Sequence, residues 1–207
     1  EPMSKTPPEH AAESRTEGPA ESWRDTFVDN AVVHTLVAMV AVTLVGWIFG
    51  SQWVALAAPI LHQPWTVLTS VYAHASVGHL LGNALVIATA GTVVAYATTT
   101  LRFHAFVIAT GVLAGLTQIL LGSALGWEVG VLGISGAGFA LLGYVIASNR
   151  ASARLSEYIP RRVGIALAVL LGAGLTILFG GANSAHAAHF AGAVLGLAAG
   201  RNRLLAV

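Results

Sequence analysis

The sequence predicts an all-α polytopic membrane protein, a bundle of six transmembrane helices with an interfacial first loop. Three observations carry that prediction. Of 207 residues, 56% are hydrophobic and only 9% are charged, against about 25% charged in soluble domains. Six apolar runs, at about 31–49, 79–97, 104–121, 129–148, 163–179 and 187–200, each approach the roughly 20 residues that cross a bilayer. All ten basic residues lie in the N-terminal tail or after the second, fourth and sixth runs. The positive-inside bias then puts both termini of a cell-membrane protein in the cytoplasm.

Composition also excludes. The chain has no Cys, so disulfides, thiolate metal sites and Cys nucleophiles are absent, and a nucleophile must be a hydroxyl. A net charge of +1 offers no basic field for a nucleic-acid partner.

The first 30 residues hold seven of the nine acids and four of the seven prolines, which predicts a disordered cytoplasmic tail ahead of a membrane domain over 31–203. The tail is polar and acidic and leads into a full-length span, so a cleavable secretory signal is not expected. After the first run, Pro59 and Pro64 interrupt the segment 50–78, while Trp53, Trp65 and Tyr72 suit a membrane–water interface. A six-helix transporter would share this topology, but no internal repeat supports one.

Polar side chains within spans are costly and become functional candidates. Asp occurs only at Asp25 and Asp29, which removes a paired-aspartate protease. No HExxH is present, and the acids beyond the tail are Glu128 and Glu157. A zinc site from His74, His79 and His186 lacks any acidic partner, so neither metal nor cofactor is expected.

Depths follow from a rise of about 1.5 Å per residue, counted from the cytoplasmic end of each span. Asn83 lies roughly 22 Å up, His79 roughly 28 Å, Ser135 roughly 21 Å, His189 roughly 18 Å and Gln118 roughly 24 Å. Four helices therefore bring Asn83, Ser135, His189 and Gln118 to one layer. Around Ser135 cluster Gly130, Gly133, Gly136 and Gly138, which reads as a loop feeding a helix N-terminus, where free N–H groups and the dipole favour an oxyanion. The alternative there is a packing patch of small residues. His189 shares a helix face with Gly192, Gly196 and Gly200, a seam that admits another helix closely. If that helix is the fourth span, Ser135 and His189 form a base-activated nucleophile. His186, one turn earlier, competes but lies nearer the outer loop. His79 and Asn83, at i and i+4, can donate to a developing negative charge. Gln118 either holds water beside the pair or bonds a neighbouring helix.

Three segments, HASVGHLLGN, GISGAGFALLGY and AHFAGAVLG, together resemble the signature segments of the rhomboid intramembrane serine proteases, in the family's order. The likeness runs from about residue 31 to 200. It implies a rhomboid-like bundle and a Ser–His dyad without an acid: Ser135 the nucleophile, His189 the general base, and His79 and Asn83 the oxyanion-side residues. Phe139 corresponds to an aromatic against which the base's ring packs, where the family often has Tyr. The family's first-loop Trp-Arg pair appears as Trp65 and Thr66. The implied substrates are transmembrane segments of membrane proteins, met in the lipid bilayer and cleaved near its outer face. An inactive relative that binds client helices is the alternative, although such relatives typically lose the Ser or the His.

Overall fold

The computed structural model describes residues 30–127, 129–149, 154, 158–179 and 185–206. Residues 1–29, nearly all of the expected tail, lie outside them.

Helix α1, Ala31–Phe49, coincides with the first apolar run. Asn30 caps it by accepting from the Val32 and Val33 amides at 3.0 and 3.1 Å, and Gly50 ends it at φ +105°. The connection that follows holds 3-10 turns at Ser51–Trp53 and Ile60–His62, strand β1, Leu56–Ala57, and helix α2, Thr66–Tyr72. The Trp53 and Trp65 rings stack with centroids 6.4 Å apart, and Trp65 Nε1 donates to the Trp53 carbonyl at 3.0 Å.

The second run becomes three contiguous pieces: α3, Val77–Val86, a π turn, Ile87–Gly91, and α4, Thr92–Ala95. It starts two residues earlier than expected because Ser76 caps it, accepting from the His79 amide at 3.2 Å, and it ends two residues earlier, at Ala95. Helix α5, Thr100–Ala124, is longer than its run, with Thr99 as N-cap.

The fourth run departs further. Its first residues form β2, Gly130–Val131, which pairs antiparallel with β1 in the register Leu56↔Val131 and Ala57↔Gly130. This two-strand ribbon is the exception to the all-α expectation among the described residues. Gly133 then turns the chain at φ +123°, a conformation that a Cβ disfavours, and α6 begins at Ser135 and runs to Ser148. Helices α7, Arg161–Phe179, and α8, His186–Arg201, are the last two among the described residues.

Among the described residues three helical stretches are long and apolar enough to cross a membrane: Ala31–Phe49, Val77–Ala95 and Thr100–Ala124. Their outward residues include Ile48, Phe49, Leu85 and Leu120, all well exposed, a face that suits lipid rather than water. Phe103, Met39, Ile87, Ile134 and Leu141 fill the core, with α6 at its centre.

The α6–α8 contact is set by glycine. A Cβ on Gly192 would strike the Gly136 carbonyl, one on Gly196 the Ala140 carbonyl, and one on Gly200 would lie 2.5 Å from the Tyr144 carbonyl oxygen. The backbones thus approach as closely as helices can, the expected use of a small-residue seam. Below α8 the chain folds back: the Leu205 amide donates to the Tyr144 hydroxyl at 3.3 Å, and Arg102 Nη1 donates to the Ala206 carbonyl at 3.2 Å.

Candidate active site

Ser135 is the first residue of α6, so its own N–H and those just after it have no acceptor within the helix. His189 stands one turn into α8, and the seam draws it toward Ser135. His189 Nε2 lies 2.9 Å from Ser135 Oγ, a full hydrogen bond by distance.

No carboxylate orients the imidazole among the described residues. Nδ1 of His189 is buried without a hydrogen-bond partner. The ring is held instead by Phe139, one turn into α6, stacked at a centroid distance of 4.4 Å and 14° between planes. Phe139 thus sits where the resemblance placed an aromatic, and supplies contact area without a polar group. His186 is exposed and off the seam, and it is His189 that bonds Ser135.

On the other side of the turn stand His79 and Asn83, one helical turn apart on α3. A Cβ on Gly133 would lie 2.9 Å from His79 Nε2 and 3.6 Å from Asn83 Nδ2. Both side chains therefore face the segment leading into Ser135. Asn83 Nδ2 is buried and unpartnered among the described residues, a donor that a polar group arriving at this turn would satisfy. The Gly133 amide donates to the Ser70 carbonyl at 2.8 Å, which ties the turn to α2. Gly136 faces the Ala114 methyl of α5, 2.5 Å from where its own Cβ would stand, so a side chain there would push α6 off α5.

His74 is one of the three histidines of the zinc site considered from the sequence. It is buried in the connection between α1 and α3, with Nδ1 3.2 Å from Thr43 Oγ1 and its ring edge-on to His79 at 5.0 Å. Burial, reinforced by His79, lowers its pKa to about 4. His74 is therefore a neutral prop behind His79. No group of three or more metal-binding side chains occurs among the described residues.

Gln118 makes no hydrogen bond to Ser135 among the described residues. Its Oε1 accepts from the Ala187 and Ala188 amides of α8 at 3.1 and 3.3 Å, so its carbonyl end serves a neighbouring helix. Sequence reasoning puts Gln118 in one layer with Ser135 and His189 but leaves this partner open. The Ser70–Gly133 tie and the β1–β2 ribbon it missed, since backbone-to-backbone contacts leave no mark in side-chain pattern.

Fold and site define a helical membrane protein of several spans with a serine–imidazole pair enclosed between two tightly apposed helices. Residues 61–204 match the rhomboid domain in a comparison with protein families. That is well over half of the chain, which belongs to the rhomboid family. No curated protein matches it. Rhomboid proteins are generally intramembrane serine proteases, and some members are inactive.

Proposed function

We propose that this protein is an intramembrane serine endopeptidase that cleaves transmembrane segments of membrane proteins through a Ser135–His189 dyad. The observation that carries the reading is the 2.9 Å approach of His189 Nε2 to Ser135 Oγ at a helix N-terminus.

In the reaction the Ser135 hydroxyl oxygen attacks the scissile carbonyl carbon while His189 Nε2 takes its proton, the ring carrying its own proton on Nδ1. The carbonyl oxygen becomes an oxyanion, held by the Ser135 N–H, His79 and Asn83 Nδ2. The C–N bond breaks as His189 returns the proton to the leaving amine. Water then attacks the acyl-enzyme, giving its proton to His189 and releasing the carboxylate product and the Ser135 hydroxyl. A substrate helix must unwind locally first, because its carbonyls are engaged within the helix and shielded by side chains.

The proposed setting is a domain of six spans over 31–203, with α2 and its flanking turns as an interfacial loop, the tail 1–30 and both termini in the cytoplasm. The single pass of α6 is short, about 21 Å for 14 residues at 1.5 Å each. Its outer end therefore stops inside a hydrocarbon layer of about 30 Å, which sinks Ser135 below the surface.

The test is labelling by a fluorophosphonate serine-hydrolase probe in detergent, beside cleavage of a reporter transmembrane substrate in liposomes. Wild type should be labelled and cleave. Ser135→Ala and His189→Ala should do neither while keeping helicity, and His186→Ala should keep most activity. Cleavage near the wild-type rate in either dyad variant would remove the assignment. An unlabelled, inactive wild type that still captures client helices would make the protein a binder.

A further inference from the structure

We infer that Gln118 is a positioning residue: from α5 it caps the N-terminus of α8 and so sets the height and rotation of His189 against Ser135. The inference rests on the dyad reading above.

Helix α8 starts without a cap of its own, since its N-cap residue, Ala185, has only a methyl group and makes no side-chain bond. The first four amides of a helix have no intrahelical acceptor, and within a membrane water is scarce to serve them. Gln118 Oε1 takes two of them, Ala187 at 3.1 Å and Ala188 at 3.3 Å. These are the two residues immediately before His189. A cap normally comes from the residue next to the helix; here it comes from 69 residues away.

The same face of α5 also fixes the nucleophile. Gly111, Ala114 and Gln118 follow at three- and four-residue spacing, hence on one face. Gly111 lies against the Ala137 methyl, 3.6 Å from where its Cβ would stand, and Ala114 abuts Gly136. One rigid helix therefore holds α6 beside Ser135 and α8 beside His189. The Ser135–His189 distance is measured off a common wall, and the amide of Gln118 is its polar fixing point. Packing alone holds α8 sideways along the glycine seam, but a smooth seam lets a helix slide and rotate; the two hydrogen bonds stop both motions.

Gln118→Met keeps the length and apolar volume and removes the acceptor. Gln118→Glu keeps an acceptor, and a carboxylate is favoured at a helix N-terminus. Expected for Gln118→Met is a fall of about 100-fold in fluorophosphonate labelling rate and in kcat, the scale of a misplacement of about 1 Å, with KM unchanged. Gln118→Glu should recover most of it. Ala185→Ser placed in the Gln118→Met background should also recover activity, because a local N-cap replaces the distant one; this rescue also reads the inference if Gln118→Met alone folds poorly. Labelling of Gln118→Met at the wild-type rate, with acyl-enzyme accumulating, would overturn the inference in favour of a water-holding role. Gln118→Glu no better than Gln118→Met, with no rescue by Ala185→Ser, would overturn it in favour of bulk packing. Failure of the dyad reading itself is distinguishable, since wild type and Ser135→Ala would then label alike.

Discussion

Replacing Gly192 by Ala tests whether the glycine seam sets the distance between Ser135 and His189. Gly192 lies three residues beyond His189 on α8, and the atom its Cβ would strike is the carbonyl oxygen of Gly136, the residue after Ser135. A carbon needs about 3.3 Å from a carbonyl oxygen, and the Cβ would fall well inside that, so the helices must part there by about 1 Å. The 2.9 Å Ser–His contact would then open to roughly 4 Å, beyond hydrogen-bond reach. Misplacement on that scale costs about 100-fold in rate, while overpacking costs about 1–3 kcal/mol of stability. Gly174→Ala is the control. It lies on α7 with nothing within 4 Å of its Cβ, and an Ala within a helix gains about 0.5–1 kcal/mol over Gly. The assay is reporter cleavage and probe-labelling rate per folded molecule, beside thermal melting in detergent. Gly192→Ala that cleaves like wild type, or that loses activity only in proportion to unfolding, refutes the argument that the seam spaces the pair.

Asn83→Ala and His79→Ala should each reduce turnover by about 100- to 1000-fold, the loss expected for one oxyanion donor; altered KM at constant kcat would make them substrate-lining residues instead. Gly133→Ala places a Cβ at φ +123° against His79, and should lower both melting temperature and labelling rate; wild-type values for both would show the turn to be slack. His74 has its pKa lowered from 6.5 to about 4, so the folded state prefers it neutral. Its contribution is fully present above pH 6.5 and is lost as pH falls toward 4; melting over that window should drop in wild type and drop less in His74→Gln. His62→Cys and Arg102→Cys should react with an impermeant thiol reagent from opposite faces of a vesicle, and labelling from one face would overturn the proposed topology.

The site was legible where chemistry and depth coincide. Ser135 and His189 carry groups that are expensive inside a bilayer, so their presence on apolar runs made them candidates, and glycines at +3, +7 and +11 from His189 told which face met another helix. Gln118 was legible as an amide on an apolar run but not as a cap, because its partners are backbone amides that every residue possesses. The first part of the fourth run misled for a physical reason: residues 129–134 are as apolar as a span, and only the glycines hint that they form a strand and a turn. Two-residue strands such as Leu56–Ala57 are too short to show an alternating pattern. The π turn at Ile87–Gly91 was equally hidden, since its residues, Ile-Ala-Thr-Ala-Gly, are ones an ordinary α-helix also accepts.

That π turn has a consequence for how the second span can change. A π turn holds one residue more than an α turn, and one residue corresponds to about 100° of rotation. Above it, α3 aims His79 and Asn83 at the turn before Ser135. Within it Ile87 is fully buried and Gly91 lies near Phe103 and Val32, and below it Val94 of α4 is buried in the core. In an unbroken α-helix these two facings would be locked together by a single angular phase. The inserted residue works as a slip joint, so the polar half and the lower wall are keyed separately, and one can be re-aimed while the other keeps its fit.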